Sequence, residues 1–150
     1  MPRIPRIVVK GEDAVYHVIS RTTLEGYVLG NVEKDYLLSL IKWMSEVFFV
    51  EVFGLSIMGN HFHLLVKMEI AEDYSDDEVK ERLALLFRKD NREITDGQLP
   101  WFRDKLTNLS EFVKEIKQRF TRYYNKEHNK KGYFWGDRFK SVLLDTIFTE

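Results

Sequence analysis

Apolar residues in this chain fall into two rhythms: short runs rich in β-branched and aromatic residues, and longer stretches with helical spacing. Residues 14–20, AVYHVIS, read as a first strand. After a loop over residues 21–30 that contains Gly26 and Gly30, Leu37, Leu38, Leu40, Ile41, Met44, Val47 and Phe48 recur at helical spacing. They predict a helix over 32–47, with Asn31 as its N-cap. Residues 49–57 and 61–69 are a second and third strand, and Gly54 marks a bulge. Only residues 58–60 separate them, so they form an antiparallel hairpin. Residues 71–77 form an acidic loop. A short helix over 78–88 buries Val79, Leu83, Leu86 and Phe87.

Residues 90–100 read as a loop that ends at Pro100, with Trp101 and Phe102 docking it onto the core. Asn108 and Glu111 have the spacing of a capping box and open the longest helix, whose stripe is Phe112, Val113, Ile116, Phe120 and Tyr123. Gly132 ends it. A fourth strand takes residues 133–135 and 139–144 and bends at Gly136. Pro2 and Pro5 keep residues 1–8 extended as an arm or edge strand, and residues 11–13 form a turn. Strand, helix, two strands, helices, strand is the order of an α+β fold. It predicts a ferredoxin-like antiparallel sheet of about four strands, with helices packed mainly on one face.

Candidate chemistry concentrates in Met58-Gly59-Asn60-His61-Phe62-His63. Strand side chains alternate between faces, so His61 and His63 project together while Phe62 points into the core. Two imidazoles one pleat apart are able to share a metal ion, though two packed histidines in a strand are an ordinary alternative. A closed structural zinc site needs four ligands, which this pair does not supply. Asn60 suits a tight turn and stands beside the pair. His17 lies on the first strand and is not assigned as a ligand.

The length of 150 residues fits a single domain with its own core, and 44% hydrophobic and 31% charged residues fit a globular protein. The sequence contains no cysteine, which excludes disulfides and thiolate metal sites. No apolar run is long enough for a membrane span and the N-terminus lacks the apolar segment of a secretory signal, so a cytoplasmic location is expected. The net charge of −1 conceals an uneven distribution. Residues 69–96 carry ten acids and five bases, whereas residues 103–140 carry eleven bases and five acids. A basic final third is a possible footprint for a polyanion, although a solvated helix face has the same composition.

Four blocks in one order add a resemblance. Met58-Gly59-Asn60-His61-Phe62-His63-Leu64-Leu65-Val66 resembles the His-hydrophobic-His signature of HUH endonucleases, and most of all that of the REP-associated tyrosine transposases, with Gly59 in place of the family's proline. Tyr16-His17-Val18 with Ser20-Arg21, the Phe120–Asn125 segment, and Gly132 to Ser141 resemble the family's first strand, late helix and last strand. The likeness spans most of residues 14–145. It implies that His61 and His63 hold Mg2+ or Mn2+ against a scissile phosphate. It implies a tyrosine that attacks phosphorus to form a 5′-phosphotyrosyl intermediate, a substrate of single-stranded or hairpin DNA, and a homodimer. Arg138 and Lys140, which alternate on the fourth strand, and Lys117 and Arg122 on the long helix are the candidate DNA contacts, with Lys114 and Arg119 beside them.

The chain departs from the family pattern after the fourth strand. The family's nucleophile lies on a following helix, and no tyrosine follows Tyr133 here. The catalytic tyrosine is therefore expected beyond residue 150, as in a truncated or decayed copy, with Tyr123 and Tyr124 as structural aromatics. Two other functions compete. One is a non-catalytic nucleic-acid-binding module on the same fold. The other is a small metal-dependent hydrolase that uses the histidine pair with Glu69 or Asp145.

Overall fold

Among the described residues, four strands and four α-helices follow one another in the order β1 (Ala14–Arg21), α1 (Asn31–Val47), β2 (Val50–Ile57), β3 (His61–Met68), α2 (Asp76–Leu86), α3 (Leu99–Leu106), α4 (Leu109–Glu127) and β4 (Lys140–Leu143). The structure is a computed structural model and describes residues 14–88, 93–136 and 139–143. The arm at 1–8, the turn at 11–13, Arg138 and Asp145 lie outside the described residues. The sheet is antiparallel throughout, in the order β2-β3-β1-β4. This is the ferredoxin-like order, with the first and third strands in the centre, and the α+β expectation holds.

Alternation explains the layering. Ala14, Tyr16, Val18 and Ser20 of β1 are buried, as are Phe62, Leu64, Val66 and Met68 of β3. They pair across the two strands, Tyr16 with Val66 and Val18 with Leu64, so one face of the sheet is a continuous apolar surface. The helices pack on that face. Leu37, Ile41 and Met44 of α1 and Phe112, Ile116 and Phe120 of α4 share its core. Phe62 meets Trp135 edge-to-face at 5.2 Å between centroids, and Trp135 in turn packs on Phe120. The opposite face carries His17, Ile19, His61, His63, Leu65 and Lys67, all partly exposed, and no described helix covers it.

Several element ends differ from expectation. Gly30, not Asn31, is the N-cap of α1, and Asn31 is already helical. α2 begins at Asp76, because the Ser75 hydroxyl accepts a bond from the Glu78 amide and three acids follow in the first turn, where the helix dipole favours them. α3 occupies a stretch whose sequence reads as loop and docking aromatics. Pro100 lies in its first turn, where its missing N–H costs nothing. Asn108 caps α4 through the Glu111 amide, as expected. The buried tyrosine of α4 is Tyr124, whereas Tyr123 stacks on Tyr36 of α1. Of the expected fourth strand, the described residues show Lys140–Leu143 paired with β1 and an isolated bridge from Trp135 to Thr22. The bulge expected at Gly54 is present, as a register shift between Val52 and Gly54.

Candidate metal centre and nucleic-acid groove

Phe62 is fully buried and anchors β3, so its neighbours His61 and His63 project from the uncovered face. Their ring centroids are 5.0 Å apart at 77°. Register brings a third imidazole alongside. His17 faces the same side from β1, and its Nε2 lies 3.0 Å from His63 Nδ1, with the rings nearly parallel at 13°. The sequence places His17 on a strand from which it could approach this face, but the contact itself depends on how β1 and β3 slide past one another. His61 Nδ1 lies 2.8 Å from Asn60 Oδ1 in the preceding turn. Burial, then the Arg21 guanidinium and then His63 hold His61 below the ordinary imidazole value, which favours the neutral, ligating form.

The turn that carries the pair is tied down on both sides. Met58 donates to the His61 carbonyl, Thr22 to the Asn60 carbonyl and Leu29 to the Gly59 carbonyl. Gly59 faces Tyr27, an exposed aromatic whose ring a Cβ at position 59 would meet at 2.8 Å. A hollow of about 450 Å³ lies beside the pair, lined by His17, His63, Leu65 and the bulged Gly54–Ser56 segment of β2. Among the described residues, no group of three or more His, Asp or Glu is arranged to hold a metal ion. Two imidazoles would leave most of a coordination shell to water and phosphate oxygens, which Mg2+ and Mn2+ readily keep, but the protein ligands of these ions are more often carboxylates, and imidazole is a softer donor than they usually take.

Glu69 does not join this centre. It follows β3 at the end away from His61, and it accepts a hydrogen bond from the Tyr74 hydroxyl, whose pKa burial and Glu69 push up to about 12. The hydrolase reading therefore loses one of its two acids, and the other, Asp145, lies outside the described residues. Tyr123 and Tyr124 belong to the helix layer, so the sheet separates them from the histidines. Burial, then Glu127 and Glu33 push Tyr123 upward, and burial, then Glu33 does the same for Tyr124, the wrong direction for a nucleophile.

The candidate DNA contacts divide between two places. Lys117 and Arg122 line a groove of about 800 Å³ between α4 and residues 133–136, together with Lys114, Thr121, Tyr133 and Trp135. Tyr133 is 88% exposed, which leaves its ring available for stacking. Arg119 is turned away and bonds to Glu115. Lys140 is opposite Ile19 on β1, which is in turn opposite His63, so Lys140 shares the histidine face. Gly136 donates to the Arg21 carbonyl, and Arg21 pairs with His61. The groove wall thus meets the sheet at the end that carries the histidine pair.

No protein-family model and no curated protein matches the sequence. Among solved structures, a REP-associated tyrosine transposase bound to a REP hairpin superposes with a TM-score of 0.63 at 14% identity, over 98% of this chain. The chain has the REP-associated tyrosine transposase fold. It spans 64% of the length of that neighbour. A second structure with this fold, a Deinococcus radiodurans R1 protein provisionally described as a transposase, superposes with a TM-score of 0.51 at 15% identity, over 97% of this chain and 87% of its own. No helix among the described residues is long and apolar enough to cross a membrane.

Proposed function

We propose that the chain is the metal- and DNA-binding body of a transposase-like strand transferase acting on hairpin-forming single-stranded DNA. The observation that carries this reading is the His61–His63 pair, partly exposed on the uncovered face of a sheet with the transposase fold. A Mg2+ or Mn2+ ion held by the two imidazoles would supply Lewis-acid stabilisation of charge on the scissile phosphate and the leaving 3′ oxygen. The chain's own residues bind and orient. Lys114, Lys117 and Arg122 neutralise backbone phosphates in the groove, Tyr133 offers a base a stacking surface, and Lys140 receives the strand on the histidine face. The tyrosine that the family resemblance calls for attacks phosphorus, forms a 5′-phosphotyrosyl bond and releases a 3′-hydroxyl, keeping the bond energy for rejoining. None of the chain's own tyrosines is assigned that role. A homodimer belongs to the same reading, and light scattering on the purified chain tests it.

The functional test is fluorescence anisotropy on labelled hairpin DNA with Mn2+ or with chelator, alongside denaturing gels for covalent adducts. The expected result is hairpin binding that Mn2+ tightens, loss of the Mn2+ increment in His61→Ala and His63→Ala, and no adduct. Binding that ignores the ion and both substitutions would favour the non-catalytic nucleic-acid-binding module, which the groove alone supports. An adduct would place a nucleophile within residues 1–150. Tyr27 would then be the first to replace by phenylalanine, because its ring lies against the turn that carries His61.

A further inference from the structure

We infer that Asn60 and His17 are positioning residues that fix the tautomers of His61 and His63, so that both rings present an unprotonated Nε2. The inference rests on the proposed metal role of the pair, but the tautomers are measured without metal.

At His61 the partner is an amide oxygen 2.8 Å from Nδ1. An amide oxygen only accepts, so Nδ1 must carry the proton and Nε2 keeps its lone pair. At His63 the partner is His17 Nε2, 3.0 Å from Nδ1, and one of the two nitrogens must donate. If His17 donated, His63 would carry its own proton on Nε2, the atom a shared ion would need. With His63 donating from Nδ1, its Nε2 is free and His17 carries its proton on Nδ1. Both arrangements fit the distance, but only the second makes the two rings of the pair equivalent. It also matches the usual rule for metal-binding histidines, in which the non-ligating N–H donates to a fixed acceptor. The two acceptors come from different elements, the β2–β3 turn and β1. The turn is held by the Thr22 and Leu29 amides, and β1 by its ladder to β3. A neutral imidazole without such a partner prefers its proton on Nε2, so each acceptor reverses the intrinsic preference of the ring it holds.

The experiment labels histidine with 15N and records long-range proton–nitrogen correlations on the metal-free chain at a pH where the rings are neutral. His61 and His63 are expected to be protonated at Nδ1. Asn60→Ala moves His61, and His17→Ala moves His63, towards the Nε2–H form. Asn60→Asp and His17→Gln keep an acceptor in place and restore the native tautomers. In parallel, Mn2+ affinity measured by electron paramagnetic resonance falls about ten- to a hundredfold in the alanine variants and recovers in the conservative ones. Either ring found protonated at Nε2 in the native chain would overturn the inference, as would alanine variants with unchanged tautomers. Three imidazole nitrogens coupled to Mn2+ would also overturn it, by making His17 a ligand. If the tautomers respond as expected but Mn2+ does not bind, the positioning role stands and the metal reading of the pair fails.

Discussion

At Gly59 an added Cβ would come within 2.8 Å of both the Cβ and the ring of Tyr27. The near atoms lie close to the Tyr27 backbone, so a rotamer change alone does not relieve the contact. The loop over 22–30 would have to move, along with the Leu29 amide that bonds to the Gly59 carbonyl. Gly59→Ala is therefore expected to cost about 1–3 kcal/mol, as overpacking does, and to speed exchange of the Leu29 amide. An unchanged urea midpoint would show that the contact is absent in solution. The same contact leaves room for glycine at this position and for nothing larger while Tyr27 stays in place. Ser20 is the opposite case. Its side chain is buried opposite Phe62, and its hydroxyl has no hydrogen-bond partner among the described residues. Removing an unsatisfied hydroxyl removes its desolvation cost, so Ser20→Ala is expected to stabilise the fold by about 1 kcal/mol. A loss of stability on thermal melting would instead point to a bound water at Oγ.

Between elements, the α3–α4 junction is held by charge as well as by packing. Lys105 of α3 reaches Glu111 at 3.0 Å and Glu115 at 3.1 Å on α4, and Arg119 also reaches Glu115 at 3.0 Å. Burial pushes the Glu115 carboxyl up, but the hydrogen bonds and charges of Lys105 and Arg119 outweigh it and hold the group below its ordinary value. A folded value below the unfolded one stabilises the fold fully above the unfolded pKa. That contribution disappears as pH falls through the folded value. Glu115→Gln should therefore cost about 1–3 kcal/mol at neutral pH, because it leaves Lys105 largely buried with one partner fewer. It should also flatten the decline in stability as pH falls from the ordinary carboxylate value through the lowered folded one. Parallel acid titrations of the two proteins would contradict the assignment. This junction also marks where the sequence was hard to read. β1, α1, β2, β3 and α4 are long enough for their periodicity to show. α3 has only eight residues, and its Leu99, Phe102 and Leu106 face is masked by Trp101 and Pro100. The histidine pair is legible because it is local: two residues and one pleat. His17 is legible only as a strand residue able to approach the pair, and Tyr27 behind the turn is not legible at all, since strand register and loop packing make the actual contacts.

For the whole molecule, a net charge of −1 gives no reason to expect DNA binding; only the placement of the charges does. The helix layer covers one face of the sheet, and the histidines occupy the other. Residues 134–136 run along the sheet end between the α4 groove and that face. A strand of DNA touching both would meet Arg122 in the groove and Lys140 on the histidine face. Each phosphate contact to single-stranded DNA releases counterions and contributes a slope of about 0.7 to the fall of log affinity with log salt. Arg122→Gln and Lys140→Gln are each expected to lower that slope by roughly this amount and to weaken binding evenly across sequences. Lys80→Gln provides the control. Lys80 belongs to α2, where it pairs with Asp96 at 3.3 Å, outside both the groove and the histidine face. If only Arg122→Gln changes the slope, the DNA stays in the groove and never reaches the histidines, and the strand-transfer reading fails even though binding survives. If both change it and Lys80→Gln does not, one strand crosses the sheet end from the helix layer to the paired imidazoles, as the chemistry requires.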